Sequence, residues 1–161
     1  MAINVLNSQG TKVYVVDVPA SPWADCTAAV TAIQGGKLVG CPQSLGEIAE
    51  TRTVTEYKCL SSNDSAKALG AISRGSLEIG LLLDPDDAAG QAALKKAFKD
   101  NTEVIVGIEL PDKAPTSGKS GTIYWFKAGV SGVGTTIEQD AAISYKVTLE
   151  ISSDITECPK T

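Results

Sequence analysis

Histidine is missing from all 161 residues. Its absence removes the commonest general base and the commonest metal ligand, and with them Ser-His and Cys-His nucleophilic chemistry. Aromatic residues are scarce, with two Trp, four Tyr and two Phe, so any core must rest on Val, Ile, Leu and Ala. No apolar run approaches the ~20 residues of a membrane-spanning helix. Residues 1–10 contain neither a basic n-region nor an apolar h-region, so no secretory signal is read there and assembly in the cytoplasm is expected. Cations are outnumbered, 14 Lys and Arg against 19 Asp and Glu, for a formal charge of −5. Nucleic-acid binding by phosphate neutralisation needs clustered Lys and Arg, so the chain is not expected to grip DNA. Cys26, Cys41, Cys59 and Cys158 form no Cys-x-x-Cys pair and are spaced too widely for zinc. In a cytoplasmic protein they are expected to remain thiols, three of them as small core residues.

What is present is alternation. From Ile137 to Ile151, apolar Ile137, Ala141, Ile143, Tyr145, Val147, Leu149 and Ile151 oppose polar Glu138, Asp140, Ser144, Lys146, Thr148 and Glu150, with Gln139 out of phase. A period of two predicts a strand with one dry and one wet face. At ~3.3 Å per residue it would extend roughly 50 Å, far beyond an ordinary strand. Long one-sided strands suit a wall or tube better than a pocket. Further strands are predicted at 12–18, 38–40, 47–59, 71–83, 103–110 and 122–130. Segment 47–59 is polar on both faces, so it is either free-standing or meets a neighbouring chain. It is expected to form a long hairpin with 71–83 across a turn at 61–66, while 131–136 turns into the final strand.

Two helices are predicted. Ser21-Pro22 would cap the first, which runs through Trp23, Cys26, Ala29, Val30 and Ile33 to a stop at Gly35-Gly36. The second spans 84–99, with Asp84, Asp86 and Asp87 as capping and first-turn carboxylates and Lys95, Lys96 and Lys99 in its last turn, matching the helix dipole. The predicted fold is one mainly β domain over 1–161: a β-sandwich or curled antiparallel sheet with a packed helix, and long strands contributing to an oligomeric β-barrel. Residues 1–10 read as a mobile segment, 111–121 as an exposed loop and 156–161 as a polar tail.

The motifs with chemical precedent fail on inspection. Ser117-Gly118-Lys119-Ser120 resembles the end of a phosphate loop, but Lys113 stands where the pattern needs glycine. Asp84-Pro85-Asp86-Asp87 is no EF-hand, because Ala89 occupies the required glycine position. Gly129-Val130-Ser131-Gly132-Val133-Gly134 matches neither catalytic glycine motif and reads as a hairpin turn using positive φ. A glycosidase pair among Glu50, Glu56, Glu78, Glu138 and Glu150 would have few aromatics to hold a sugar. No enzyme, metal or cofactor is expected.

Four stretches together resemble major tail tube proteins of long-tailed, non-contractile bacteriophages: Gly40–Glu47, Ser73–Leu82, Asp84–Leu94 and Gly132–Glu150. The Asp-Pro-Asp-Asp-Ala-Ala-Gly-Gln sequence after a long strand carries most of the likeness. The resemblance implies a virion protein whose hexameric rings stack into a tube for DNA ejection, with tape-measure, initiator and terminator proteins as partners. It implies no membrane and no specific DNA binding. On that footing Glu50, Arg52, Glu56, Lys58, Arg74 and Glu78 are expected to line the lumen. Ile3, Val5, Leu6, Lys113 and Lys119 are candidates for ring-to-ring contacts. A tube subunit of a bacterial injection system, or a monomeric β-sandwich decoration or adhesion module, are the alternatives.

Overall fold

The computed structural model describes residues 5–113 and 116–161. Ten strands and two helices occur among them: β1 Lys12–Asp17, α1 Cys26–Gln34, β2 Lys37–Leu38, β3 Pro42–Leu45, β4 Glu50–Lys58, β5 Ser65–Arg74, β6 Ser76–Leu82, α2 Gly90–Asp100, β7 Glu103–Glu109, β8 Ile123–Thr136, β9 Ser144–Ile151 and β10 Thr156–Cys158. Eight strands make one antiparallel sheet in the order β2-β1-β7-β8-β9-β6-β3, with β10 pairing the start of β8; β4 and β5 form a separate two-stranded ribbon.

The sheet curls so that its two halves share a core. Val13 and Val15 from β1, Val104, Val106 and Ile108 from β7, and Phe126 and Ala128 from β8 meet Leu77, Ile79 and Leu81 of β6 and Tyr145, Val147 and Leu149 of β9. Helix α2 adds Leu94 and Ala97 to this core, and Lys95 lies 4.8 Å from the centre of the Tyr145 ring. The opposite face of β1–β7–β8 carries Tyr14, Ile123 and Trp125, covered by Ile33 and Val30 of α1. Gly107 makes room here, because a Cβ on it would run into Ile33. Among the described residues the opposite face of β6 and β9 has no such cover.

Several expectations are overturned. The last long strand is interrupted: β9 begins only at Ser144, and Asp140 takes a left-handed backbone (φ 56°) in the loop joining it to β8. Ile137 and Ile143 are exposed there, so nothing holds them extended against the core. The long strand is instead β8, fourteen residues continuing through the glycines with a bulge between Val130 and Gly132. Gly129, Gly132 and Gly134 are extended, not a turn, since positive-φ glycines occur only at Gly10 and Gly118 among the described residues.

Segment 71–83 is not one strand. It divides at Gly75, so that β5 pairs β4 while β6 pairs β3 and β9. The turn at the ribbon tip is residues 59–64, two positions earlier than the predicted 61–66, with pairing resumed at Lys58↔Ser65.

Both helices start later than predicted. Asp25, not Ser21, caps α1 by accepting from Ala28 N at 2.8 Å, which leaves Trp23 outside to stack edge-on against Trp125 at 4.9 Å. Helix α2 starts at Gly90, while Asp84–Ala89 forms turns. The Asp87 carboxylate then accepts from Gly90 N (2.9 Å), Gln91 N (3.1 Å) and, across the chain, Gly40 N (2.9 Å). The cysteine expectation also fails, for Cys26 and Cys158 are joined in a disulfide. Their 132-residue separation hides from sequence a pairing that the fold creates, and the polar tail becomes strand β10 with Cys158 fully buried. Cys41 and Cys59 are free and exposed.

Candidate assembly surfaces

Three surfaces of this fold are incomplete in a single copy. The first is the ribbon. Every residue of β4, and all of β5 except Arg74, is exposed. Cross-strand register places Glu50, Arg52, Val54, Glu56 and Lys58 on one face with Ser65, Lys67, Leu69, Ile72 and Arg74, a bulge in β5 keeping the two strands in phase. Thr51, Thr53, Thr55 and Tyr57 share the other face with Ala66 and Ala68. Val54, Leu69 and Ile72 make an apolar centre with no cover, and Leu60 stands fully exposed at the tip. A two-stranded ribbon is marginal alone in water, so its base needs anchoring. Arg74 supplies it by donating to Glu50 Oε1 at 3.2 Å and to Asp154, while the other link runs from Ile155 N to Glu50 at 3.1 Å. The Ile155 N–H is the main reason the Glu50 carboxyl sits below its usual range, with Arg74 adding to it.

The second surface is a pair of open strand edges. β7 accompanies β8 only as far as Gly129, whereas β9 follows β8 to Thr136. Residues 130–136 therefore have no partner on their β7 side among the described strands. At the far end of the sheet β3 is paired, among the described strands, on one side alone, by β6. The four strands between these edges are the second half of β8, then β9, β6 and β3.

The third surface is the wet face of those four strands. Ser76, Glu78 and Gly80 of β6 lie beside Lys146, Thr148 and Glu150 of β9, which in turn lie beside Gly129, Gly132 and Gly134 of β8. Lys146 pairs with Glu78 at 2.9 Å, both half-exposed. Glu150 accepts from Ser131 Oγ at 3.2 Å. These residues of the face carry two carboxylates and one ammonium.

Of the six residues expected at a lumen, the fold brings Glu50, Arg52, Glu56, Lys58 and Arg74 together on one ribbon face and puts Glu78 apart, on the sheet. Lys67 joins the ribbon set, a residue whose role was masked in sequence by the assumption of a loop nearby. Lys146 and Glu150 were legible as polar members of an alternating run but were not among the residues expected at the lumen. Of the contact candidates, Val5, Leu6, Lys113 and Lys119 are exposed and Ile3 lies outside the described residues. Among the three aspartates expected to cap α2, Asp87 bonds the helix N–H groups, Asp84 accepts from Asp86 N at 3.0 Å within the preceding turn, and Asp86 is exposed. No cluster of three or more metal-ligating side chains occurs among the described residues.

The arms of the 110–122 loop are held at their base. Asp112 accepts from Thr122 N at 2.7 Å and Thr122 Oγ1 at 2.6 Å. Burial alone would raise the Asp112 carboxyl, yet these bonds hold it below its usual range. Glu109, itself buried, accepts from Gly121 N at 3.1 Å and from the Tyr14 hydroxyl at 3.3 Å.

The chain was compared with known proteins. No curated protein sequence matches it. Among solved structures it is similar to the SPP1 tail tube (TM-score 0.63, 14% identity, covering 98% of this chain and 79% of that one). It is also similar to the sheath/tube terminator structure of PVC, an extracellular contractile injection system (TM-score 0.70, 10% identity, 98% and 99% covered). A third likeness is to a chain in the virion of a native gene transfer agent particle (TM-score 0.64, 12% identity, 96% and 99% covered). At these identities the likeness establishes the fold. The family described as "Phage tail tube, TTP, lambda-like" matches residues 4–161, nearly the whole length, and the chain therefore belongs to the lambda-like phage tail tube family, as a structural protein of the virion tail.

Proposed function

We propose that this chain builds its tube by closing the four strands from β8 to β3 head to tail with other copies, six to a ring, and that stacked rings conduct DNA during ejection. The two open edges carry this reading. Unpaired strand edges invite pairing with another chain, and edges at opposite ends of one four-stranded segment make a heterologous contact, which generates a ring when its rotation closes. Six copies would contribute about 24 strands, more than the 16–18 that already leave an aqueous channel in porins. Two facts of packing support the orientation. The inner face of the segment is occupied by the core, so the uncovered face with Glu78, Lys146 and Glu150 is free to line the bore. Its excess of carboxylate over ammonium suits a conduit, because an acidic wall repels the phosphate backbone and favours sliding over binding.

The ribbon face is less suited to an acidic wall. Beside Glu50 and Glu56 it carries Arg52, Lys58, Lys67 and Arg74, and its apolar centre favours contact with another copy. The exposed segments around Val5 and Leu6, and around Lys113 and Lys119, remain proposed contacts between rings. Assembly in the host cytoplasm on an initiator, along a tape-measure protein and up to a terminator, belongs to the same proposal.

The test is a phage carrying Glu78→Lys and Glu150→Lys. Tubes of normal length and bore should still form, while DNA delivery falls. Unchanged infectivity would remove these residues from the channel wall. Loss of assembly with the monomer still folded would make the face a contact surface instead.

A further inference from the structure

The last six residues do more than finish the chain. Strand β10 lies antiparallel to the start of β8, with Thr156↔Trp125 and Cys158↔Ile123 in register. Beyond it, Thr161 N donates to Ser120 O at 3.2 Å, Ser120 N donates to Thr161 Oγ1 at 3.0 Å, and the two hydroxyls lie 3.3 Å apart. Ser120 is buried although it belongs to a loop. The end of the chain thus covers one arm of the 110–122 loop, and the covering strand is tied to the first residue of α1 by Cys26–Cys158. β10 is only three residues long and, among the described strands, pairs on one side alone. Such a strand holds its place through few bonds, so the covalent tie decides how often it lifts.

We propose that Cys26–Cys158 is a redox-operated clasp: oxidised, it keeps β10 and Thr161 seated and fixes the outer arm of the 110–122 loop, and reduced, it releases both. Opening needs a dithiol reductant. One of its thiolates attacks a cysteine sulfur, its second thiol resolves the mixed disulfide, and the reductant leaves as a disulfide. Two electrons and two protons remain on Cys26 and Cys158 as thiols. Closing is the reverse, with a disulfide oxidant accepting them. A reducing cytoplasm favours the open form and the medium outside a cell the closed one. The consequence for the tube rests on the preceding proposal: subunits would assemble with loose loop arms and stiffen after release.

Limited trypsin digestion of the isolated chain tests the clasp without any assembly. Cleavage after Lys119, followed by mass spectrometry, should be faster by about tenfold or more in chain treated with a dithiol reductant than in oxidised chain, as expected when cutting follows the open population. Hydrogen exchange guards against simple unfolding. Amides of Ser120, Ile123 and Trp125, which face Thr161 and β10, should lose protection on reduction while those of Val147 and Leu149 keep theirs. Thr161→Val should loosen Ser120 even with the disulfide intact. Equal cleavage rates in the two redox states would overturn the proposal, as would a uniform loss of protection that makes the disulfide a staple of the whole fold. A working clasp with no effect of redox state on tube formation would instead count against the 110–122 loop as a contact between rings.

Discussion

Asp87 carries more of this fold than one surface aspartate ordinarily does, and replacing it has a calculable effect. Its Oδ2 accepts from Gly40 N and Gln91 N, and its Oδ1 from Gly90 N and, at 3.3 Å, Ala89 N. One carboxylate thus caps α2 and ties that helix to the connection between β2 and β3. Asp87→Ala leaves the N–H groups of Gly90 and Gln91 without this acceptor, and both residues are buried. A lost cap costs about 0.5–2 kcal/mol and bonds to a charged acceptor about 1.5–3 kcal/mol. Because the two figures overlap, a destabilisation of about 2–3 kcal/mol is expected, and a melting temperature lower by roughly 5–10 °C for a chain of this size. Asp87→Asn keeps one acceptor oxygen and should lose about half of that.

The effect has a definite pH dependence. Burial raises the Asp87 carboxyl, but the four backbone N–H groups outweigh it and hold the folded-state value below the usual range. A depressed folded value means the carboxylate stabilises fully above its unfolded pKa of about 3.9 and loses that contribution as pH falls through the folded value. Urea denaturation at pH 7 and at a series of values below 4 would measure this. The gap between wild type and Asp87→Asn should be constant above about pH 5 and narrow in acid. A gap within about 0.5 kcal/mol at pH 7, or one that widens on acidification, would refute the reasoning.

Other predictions follow from packing and anchoring. A Cβ at Gly90 would strike the backbone of Leu38 and Val39, whereas one at Gly129 meets nothing, so Gly90→Ala should lower the melting temperature sharply and Gly129→Ala hardly at all. Leu149 is completely buried, and Leu149→Ala should cost about 2–5 kcal/mol in chemical denaturation. Arg74→Ala should change global stability by less than about 1 kcal/mol, since its ion pairs are partly exposed. Hydrogen exchange at Val54 and Leu69 should nevertheless quicken as the ribbon base loosens.

The elements that sequence revealed are those whose burial is one-sided and local. Leu77, Ile79 and Leu81 alternate with Ser76, Glu78 and Gly80, and α2 has helix formers with lysines at its end. The ribbon announced itself as a segment polar on both faces, and it is indeed separate from the sheet. What remained hidden depends on partners distant in the chain. Gly75 breaks a pattern that alternates on either side of it, and only pairing with β9 shows that β6 belongs to another sheet. Ile137 and Ala141 continue the alternation of β9, but both are exposed and no described strand lies opposite to bury them. Cys26 meets Cys158 because α1 and β10 pack near the same end of β8. The glycines of β8 suggested a turn, and their extended backbone makes sense only as a smooth wet face. Lys146 and Glu150 were legible as polar residues, but their place beside Glu78 on one face depends on which strands neighbour β9.

Imaging an assembled tube at side-chain detail is the most direct test of the account. Residues 130–136 of one copy should be hydrogen-bonded to Pro42–Leu45 of the next, with Glu78, Lys146 and Glu150 turned toward the bore. Edges left unpaired or capped within the same copy, or a bore lined by the cations of the ribbon, would contradict it.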